Sequence, residues 1–291
     1  MKYISPLLLL ILLTFSCQST ENPGVETNID GNKYERIVSL SGSITETLFA
    51  LGYGDKIVAV DVTSTYPADA LVEVPRLGHI RQLNVEGVLA QRPDLILILE
   101  GNASLPAVQQ LKESGIELLI LSSENTFEAP IKMALAIEEK LGAEGRSKQI
   151  EQKLSAQKTQ LEALLKDHII QPKVLFIYAR GAGNMMVAGR DTPAEAMINL
   201  AGGQNAITEF EGFKTLSTEG LIQAQPDYLL LFESGLEKLG GKEQLFQIEG
   251  IQQTPAGKNQ RVITMDGLRL LGFTPRMGSA ALDLATQLLQ E

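Results

Sequence analysis

From about residue 33 onward, short apolar runs alternate with longer stretches in which apolar residues recur every three or four positions. Runs of four or five apolar residues bounded by Gly, Pro or Asp read as buried strands, and the periodic stretches between them as amphipathic helices. Strands are predicted at Ile37–Leu40, Ile57–Val60, Leu95–Leu99 and Leu118–Leu121 in the first half, and at Val174–Tyr178, Tyr228–Phe232 and Val262–Met265 in the second. Such alternation predicts an α/β fold of mainly parallel sheets flanked by helices. Between the halves, 143–168 is charged and periodic. Ile150, Leu154, Leu161 and Leu165 there place one apolar stripe along a single long helix.

The pattern also repeats. Leu83–Leu99 returns as Leu216–Phe232, each copy holding a Glu (Glu86, Glu219), a short amphipathic helix, a Pro-Asp turn and an apolar strand. Two widely spaced copies, unlike the many short-period copies of a solenoid, predict two similar lobes. The expected division is an N-terminal lobe over 33–142, a connecting helix over 143–168 and a C-terminal lobe over 169–291. A stiff helix packed on both lobes limits hinge rotation. The expected site is the cleft between them, where the carboxyl ends of both sheets converge.

The amino terminus has a different character. Lys2 precedes an apolar run, Leu7–Leu13, followed by Thr14, Ser16 and the single cysteine, Cys17. Residues 1–16 therefore read as a signal peptide. Polar residues from Gln18 arrive too early for a membrane span of roughly 20 apolar residues. The layout resembles the cleavage and acylation site of bacterial lipoproteins, with Thr14 where such sites usually carry Leu. That resemblance makes Cys17 the lipid anchor and 17–32, with Pro23 and Gly24, a flexible tether. It also implies a periplasmic or otherwise extracytoplasmic, membrane-anchored protein. With Cys17 acylated, no thiol remains for a disulfide framework or a cysteine metal site. The formal net charge of −10 argues against a nucleic-acid partner.

Candidate chemistry is sparse. Of the two histidines, His79 follows Gly78 in a short polar stretch that reads as a loop at the cleft rim, whereas His168 ends the connecting helix and suits its dipole. No Gly-x-Ser-x-Gly turn or nucleophile–base pair is present, so catalysis is not expected. Two distant histidines do not make a zinc site. Arg180-Gly181-Ala182-Gly183 lacks the Lys and Ser of a phosphate-cradling loop.

Four segments resemble the haem-binding members of the helical-backbone class of ABC-importer binding proteins, relatives of cobalamin and siderophore binders. They are Arg36–Leu40 with Thr45-Glu46; Leu77–Leu83; Ala188–Thr192 with Ala201–Gly203; and Leu270–Arg276. The first is common to the class, and the other three are similar to its haem branch. The resemblance implies a monomeric carrier that captures haem in the cleft and delivers it to a membrane permease. At the His79 position the family usually has an iron-binding tyrosine, so His79 becomes the expected iron ligand; imidazole suits haem iron. Where some members place a second haem-contacting histidine, this chain has Arg180. Tyr178 substitutes if it faces the cleft. Arg81, Arg180, Arg190 and Arg276 fall in candidate cleft loops and suit the propionates. The repeated Glu86 and Glu219 match the acids, one per lobe, with which the class docks on permease arginines. The alternative ligands are a ferric siderophore or cobalamin.

Overall fold

The computed structural model describes residues 33–142, 145–168, 170–181 and 185–290. The signal-peptide, tether and Cys17 assignments lie outside them. The chain runs β1 (Ile37–Ser39), α1 (Gly42–Ala50), β2 (Ile57–Val60), α2 (Val85–Ala90), β3 (Leu95–Leu99), α3 (Pro106–Glu113), β4 (Glu117–Leu121) and α4 (Ala129–Leu141). Helix α5 (Ser147–Leu165) then leads to β5 (Lys173–Ala179), β6 (Met185–Ala188), α6 (Pro193–Leu200), β7 (Gln204–Asn205), β8 (Phe213–Thr215), α7 (Thr218–Ala224) and β9 (Tyr228–Phe232). After α8 (Glu233–Leu239), α9 (Lys242–Phe246) and α10 (Pro255–Lys258) come β10 (Val262–Met265), α11 (Gly267–Leu271) and α12 (Met277–Leu288).

Sheet A is wholly parallel, in the order β2-β1-β3-β4. Sheet B has the order β10-β9-β5-β6-β8, with β7 beside β5. Its β10, β9, β5 and β7 are parallel, while β6 and β8 pair antiparallel. The second lobe is therefore mixed where the apolar runs alone predict parallel strands. β6 (Met185–Ala188) is a four-residue apolar run that the strand prediction omits, whereas β8 (Phe213–Thr215) carries no such run and is defined by its pairing with β6.

Because side chains alternate along a strand, each buried run feeds two cores. Leu95, Leu97, Phe176 and Leu230 face a central cluster, while Ile96, Ile98, Leu175 and Leu231 face two outer ones under the flanking helices. The central cluster continues through Met133 of α4, Leu154 of α5 and Leu284 of α12, so the lobes share one core. Helix α5 supplies the predicted stripe: Ile150, Leu154 and Leu161 are buried and Leu165 half-buried. It is shorter at both ends than 143–168. Its N-terminus is held by Glu138 of α4, whose carboxylate accepts the N–H groups of Arg146 (2.5 Å) and Ser147 (3.2 Å) and the Ser147 hydroxyl.

The repeat has a structural reason. In each copy the Asp of Pro-Asp ties the repeat strand to the central strand beside it. Asp94 accepts the N–H of Glu35 at 2.7 Å and of Arg36 at 3.0 Å, just before β1, and Asp227 accepts the N–H of Lys173, opening β5, at 2.8 Å.

Candidate functional site

An open cavity of about 770 Å³ lies between the lobes, within the size range of small-molecule sites. Its walls are the residues just beyond the strands' carboxyl ends. Ser41–Ser43 follow β1, Val62, Thr63 and Thr65 follow β2, Leu99 ends β3 and Ser122–Asn125 follow β4. The other lobe supplies Tyr178, Phe232, Ser234 and the stretch after β10, Asp266–Leu268 with Leu271–Phe273. In sheet A the chain leaves β1 first towards β2 and returns on the other side as β3. The crevice thus forms at a topological switch point.

One wall is apolar and aromatic. Phe232 meets Tyr178 edge-to-face, with ring centroids 5.5 Å apart, and packs against Phe176 behind it at 5.2 Å. Phe273, buried, lines the cavity with φ 46, a conformation costly for a bulky residue and held by the packed segment around it. Two acids, Glu124 and Asp266, and several hydroxyls complete the lining, which among the described residues contains no Lys, Arg or His.

Beneath the β2 end, Asp61 is buried, and burial pushes its carboxyl above the ordinary range. The Thr63 hydroxyl donates to it at 2.7 Å and that of Ser64 at 2.9 Å. Thr63 Oγ1 also accepts the first N–H of α1, from Gly42, at 2.8 Å. This network shapes the two loops that form the cavity floor.

Among the described residues, Tyr178 is the one predicted site residue that lines the cavity. It faces the cleft as well as ending a strand, and Arg180 two residues on covers it. The guanidinium lies 4.8 Å from the ring centroid and donates to Tyr178 Oη at 3.1 Å. His79 is exposed and is not among the residues that line the cavity. Gly78, with φ 83, turns the chain into it, and the Gly78 carbonyl accepts the N–H of cavity-lining Val62 at 3.1 Å, which places His79 beside the wall. Its Nδ1 accepts the Arg81 N–H at 3.2 Å, capping a single 3-10 turn. The Arg81 side chain is exposed next to it.

Arg190 is exposed and pairs with Glu211 at 3.3 Å. Arg276 is held by Glu46: its Nε donates to Oε1 at 3.0 Å and its Nη2 to Oε2 at 2.8 Å. Glu86 and Glu219 are exposed in the first turns of α2 and α7, each following a capping residue, Asn84 and Ser217 respectively. His168 is exposed beyond α5, with its N–H bonded to the Leu165 carbonyl.

The hydroxyl and backbone floor, Phe232 and Phe273 were not among the candidates read from sequence. Extending each predicted strand by two or three residues at its carboxyl end would have found most of the lining.

The periplasmic binding protein family model matches residues 37–267. The chain belongs to that family. Periplasmic binding proteins act outside the cytoplasm, and among the described residues no helix is long and apolar enough to cross a membrane. The chain is similar to the structure of the periplasmic heme-binding protein RhuT from Roseiflexus sp. RS-1 in apo form. The two share 38% sequence identity at a TM-score of 0.83, covering 87% of this chain and 97% of the other. It is also similar to the uncharacterized ABC transporter substrate-binding lipoprotein YvrC of Bacillus subtilis, 29% identical over 86% of this chain and 79% of YvrC. The vitamin B12-binding protein of Vibrio campbellii is 28% identical over 67% of this chain and 70% of its own length. Two of these relatives are named for the small molecule they bind and one as the substrate-binding lipoprotein of an ABC transporter, which agrees with a carrier.

Proposed function

We propose that this periplasmic binding protein is the solute-binding component of an ABC importer and that it captures haem in the inter-lobe cavity for delivery to the permease. The observation that carries this reading is Tyr178, an iron-competent phenol set in an apolar, aromatic cavity wall with Arg180 on its oxygen. His79 on the other lobe is the first iron ligand and Tyr178 the second, one for each face of the ring. A phenolate bound to ferric iron bears negative charge, and the Arg180 donor stabilises it through a charge-assisted hydrogen bond. Coordination through His79 Nε2 requires the proton on Nδ1. The Arg81 N–H bond to Nδ1 therefore breaks and the imidazole swings free of its cap.

The propionates leave the cavity at the rim, because among the described residues its lining carries acids and no cation. Arg81 and Arg180 lie beside the two ligands and meet them there. Arg190 is available if it releases exposed Glu211, whereas Arg276 would have to abandon a buried carboxylate. Glu86 and Glu219, one on each lobe, dock the loaded monomer on permease arginines. Cys17 carries the lipid that keeps it at the membrane.

A cavity edged by hydroxyls and Asn125 also favours a second reading, a corrinoid with an amide rim. Titration of the soluble form beginning after Cys17 with haemin and with cobalamin separates them. Haem binding gives a saturable Soret band whose ligand signature changes in both His79→Ala and Tyr178→Phe. A saturable cobalamin spectrum with no Soret response would refute haem, and a band insensitive to both substitutions would refute the ligand pair.

A further inference from the structure

Glu46 sits on α1 in the N-terminal lobe, with its residue only 2% exposed. The guanidinium that satisfies it belongs to Arg276, which immediately precedes α12 in the other lobe. Both carboxylate oxygens are used in a fork-to-fork pair, the most directional form an ion pair takes. The Tyr66 ring, carried by the loop after β2, covers one face of the guanidinium, 3.7 Å from the centroid. Asp266, a cavity residue, stands 3.9 Å away. The three partners continue directly into the cavity walls: α1 begins at Gly42 and Ser43, Tyr66 follows Thr65, and Arg276 follows Phe273 by three residues.

A buried ion pair is a poor source of net stability, because desolvation offsets most of the attraction, but it is intolerant of displacement. Sliding one lobe against the other stretches two charge-assisted bonds and leaves a nearly buried carboxylate without its partner. An apolar contact would tolerate the same shift.

We propose that Glu46, Arg276 and Tyr66 form a tie that fixes the angle between the lobes and so positions the ligand-bearing walls, without touching the ligand. This inference rests on the reading of the cavity as a haem site in one respect: His79 and Tyr178 come from opposite lobes, so their separation is set by the lobe angle. Arg276 is a positioning residue here, which replaces the propionate role suggested by its place in the sequence.

The test is a thermodynamic cycle in the soluble protein with Glu46→Gln, Arg276→Met and the double variant, read by haemin affinity, by absorption and electron paramagnetic resonance of the bound iron, and by melting temperature. Each single change should weaken haemin binding about tenfold or more and lose the Tyr178 signature, and the double should be no worse than the worse single, as expected for residues acting as a unit. Tyr66→Ala should shift the same way by less. If Arg276 instead contacts a propionate, Glu46→Gln leaves haemin affinity unchanged or higher while Arg276→Met lowers it, which overturns the tie. Unchanged affinity in every variant overturns it too. Where a single change unfolds the protein, Glu46→Leu with Arg276→Met removes both charges together and carries the test. If wild-type protein binds no haemin, amide exchange of the apo protein decides: faster exchange over Leu268–Arg276 in the variants supports the tie, and unaltered exchange overturns it.

Discussion

Replacing Glu138 by alanine should loosen the start of the helix that joins the lobes. Helix α5 has no side-chain cap of its own and no acid in its first turn, so its opening N–H groups depend on this carboxylate from α4. Three hydrogen bonds are lost, those from the Arg146 and Ser147 N–H groups and from the Ser147 hydroxyl. Ser147 is 4% exposed, so water does not readily replace them. A hydrogen bond to a charged group contributes ~1.5–3 kcal/mol. A carboxylate at a helix N-terminus adds ~0.3–1 kcal/mol through the dipole. Part of the loss is recovered where the Arg146 N–H relaxes towards solvent and part because the desolvation cost of the buried carboxylate goes with it, which brings the expected destabilisation to about 3 kcal/mol. For a chain of this size that lowers the melting temperature by roughly 6–12 °C. Glu138→Gln keeps an acceptor but loses the charge assistance and should cost about half as much. Differential scanning calorimetry of the two variants measures both. A shift below about 2 °C for alanine, or equal shifts for the two, would refute the capping role.

Arg180→Met removes the donor on Tyr178 Oη and should weaken haemin binding by about 10- to 100-fold, the range for one hydrogen bond to a charged group, read by Soret titration; unchanged affinity would remove Arg180 from the site. Gly42→Ala places a Cβ 2.3 Å from the Thr63 carbonyl oxygen and 2.8 Å from Leu268 Cδ1, so it pushes the cavity floor against the opposite lobe. It should destabilise the protein by ~1–3 kcal/mol in urea titrations. Glu117 is held down to about 2 by hydrogen bonds from Lys140, Tyr34 and Lys33. A depressed carboxyl stabilises the fold at pH values above its ordinary 4.5, and the contribution is lost as pH falls from there through about 2. Urea midpoints of the wild type should therefore fall more steeply across that window than those of Glu117→Gln, and parallel curves would count against it.

Much of the architecture was legible because burial on both faces of a sheet writes an unbroken apolar run. The runs at 95–99 and 228–232 are β3 and β9 residue for residue, and the stripe of Ile150, Leu154 and Leu161 is the buried face of α5. The repeat announced two lobes because each copy encodes the same local unit, down to an Asp that bonds the neighbouring strand. Local patterns could not reveal β8, whose Phe213-Lys214-Thr215 is a strand by virtue of pairing with β6.

The site divides along the same line. Tyr178 and Arg180 lie two residues apart on an extended segment, so their pairing is close to a local property. Whether the Tyr178 ring entered the cleft or a core depended on how the lobes meet, which the shared cluster through α4, α5 and α12 decides. Arg276 shows the limit most clearly. In sequence it is one more arginine in a cleft loop. Its partner Glu46 lies 230 positions away, and the bond exists only once two separately encoded lobes are brought together. Residue types, periods and turns fix what each segment is, because those depend on neighbours in the chain. What each charge bonds and what each ring faces depends on neighbours in space, which only the folded chain supplies.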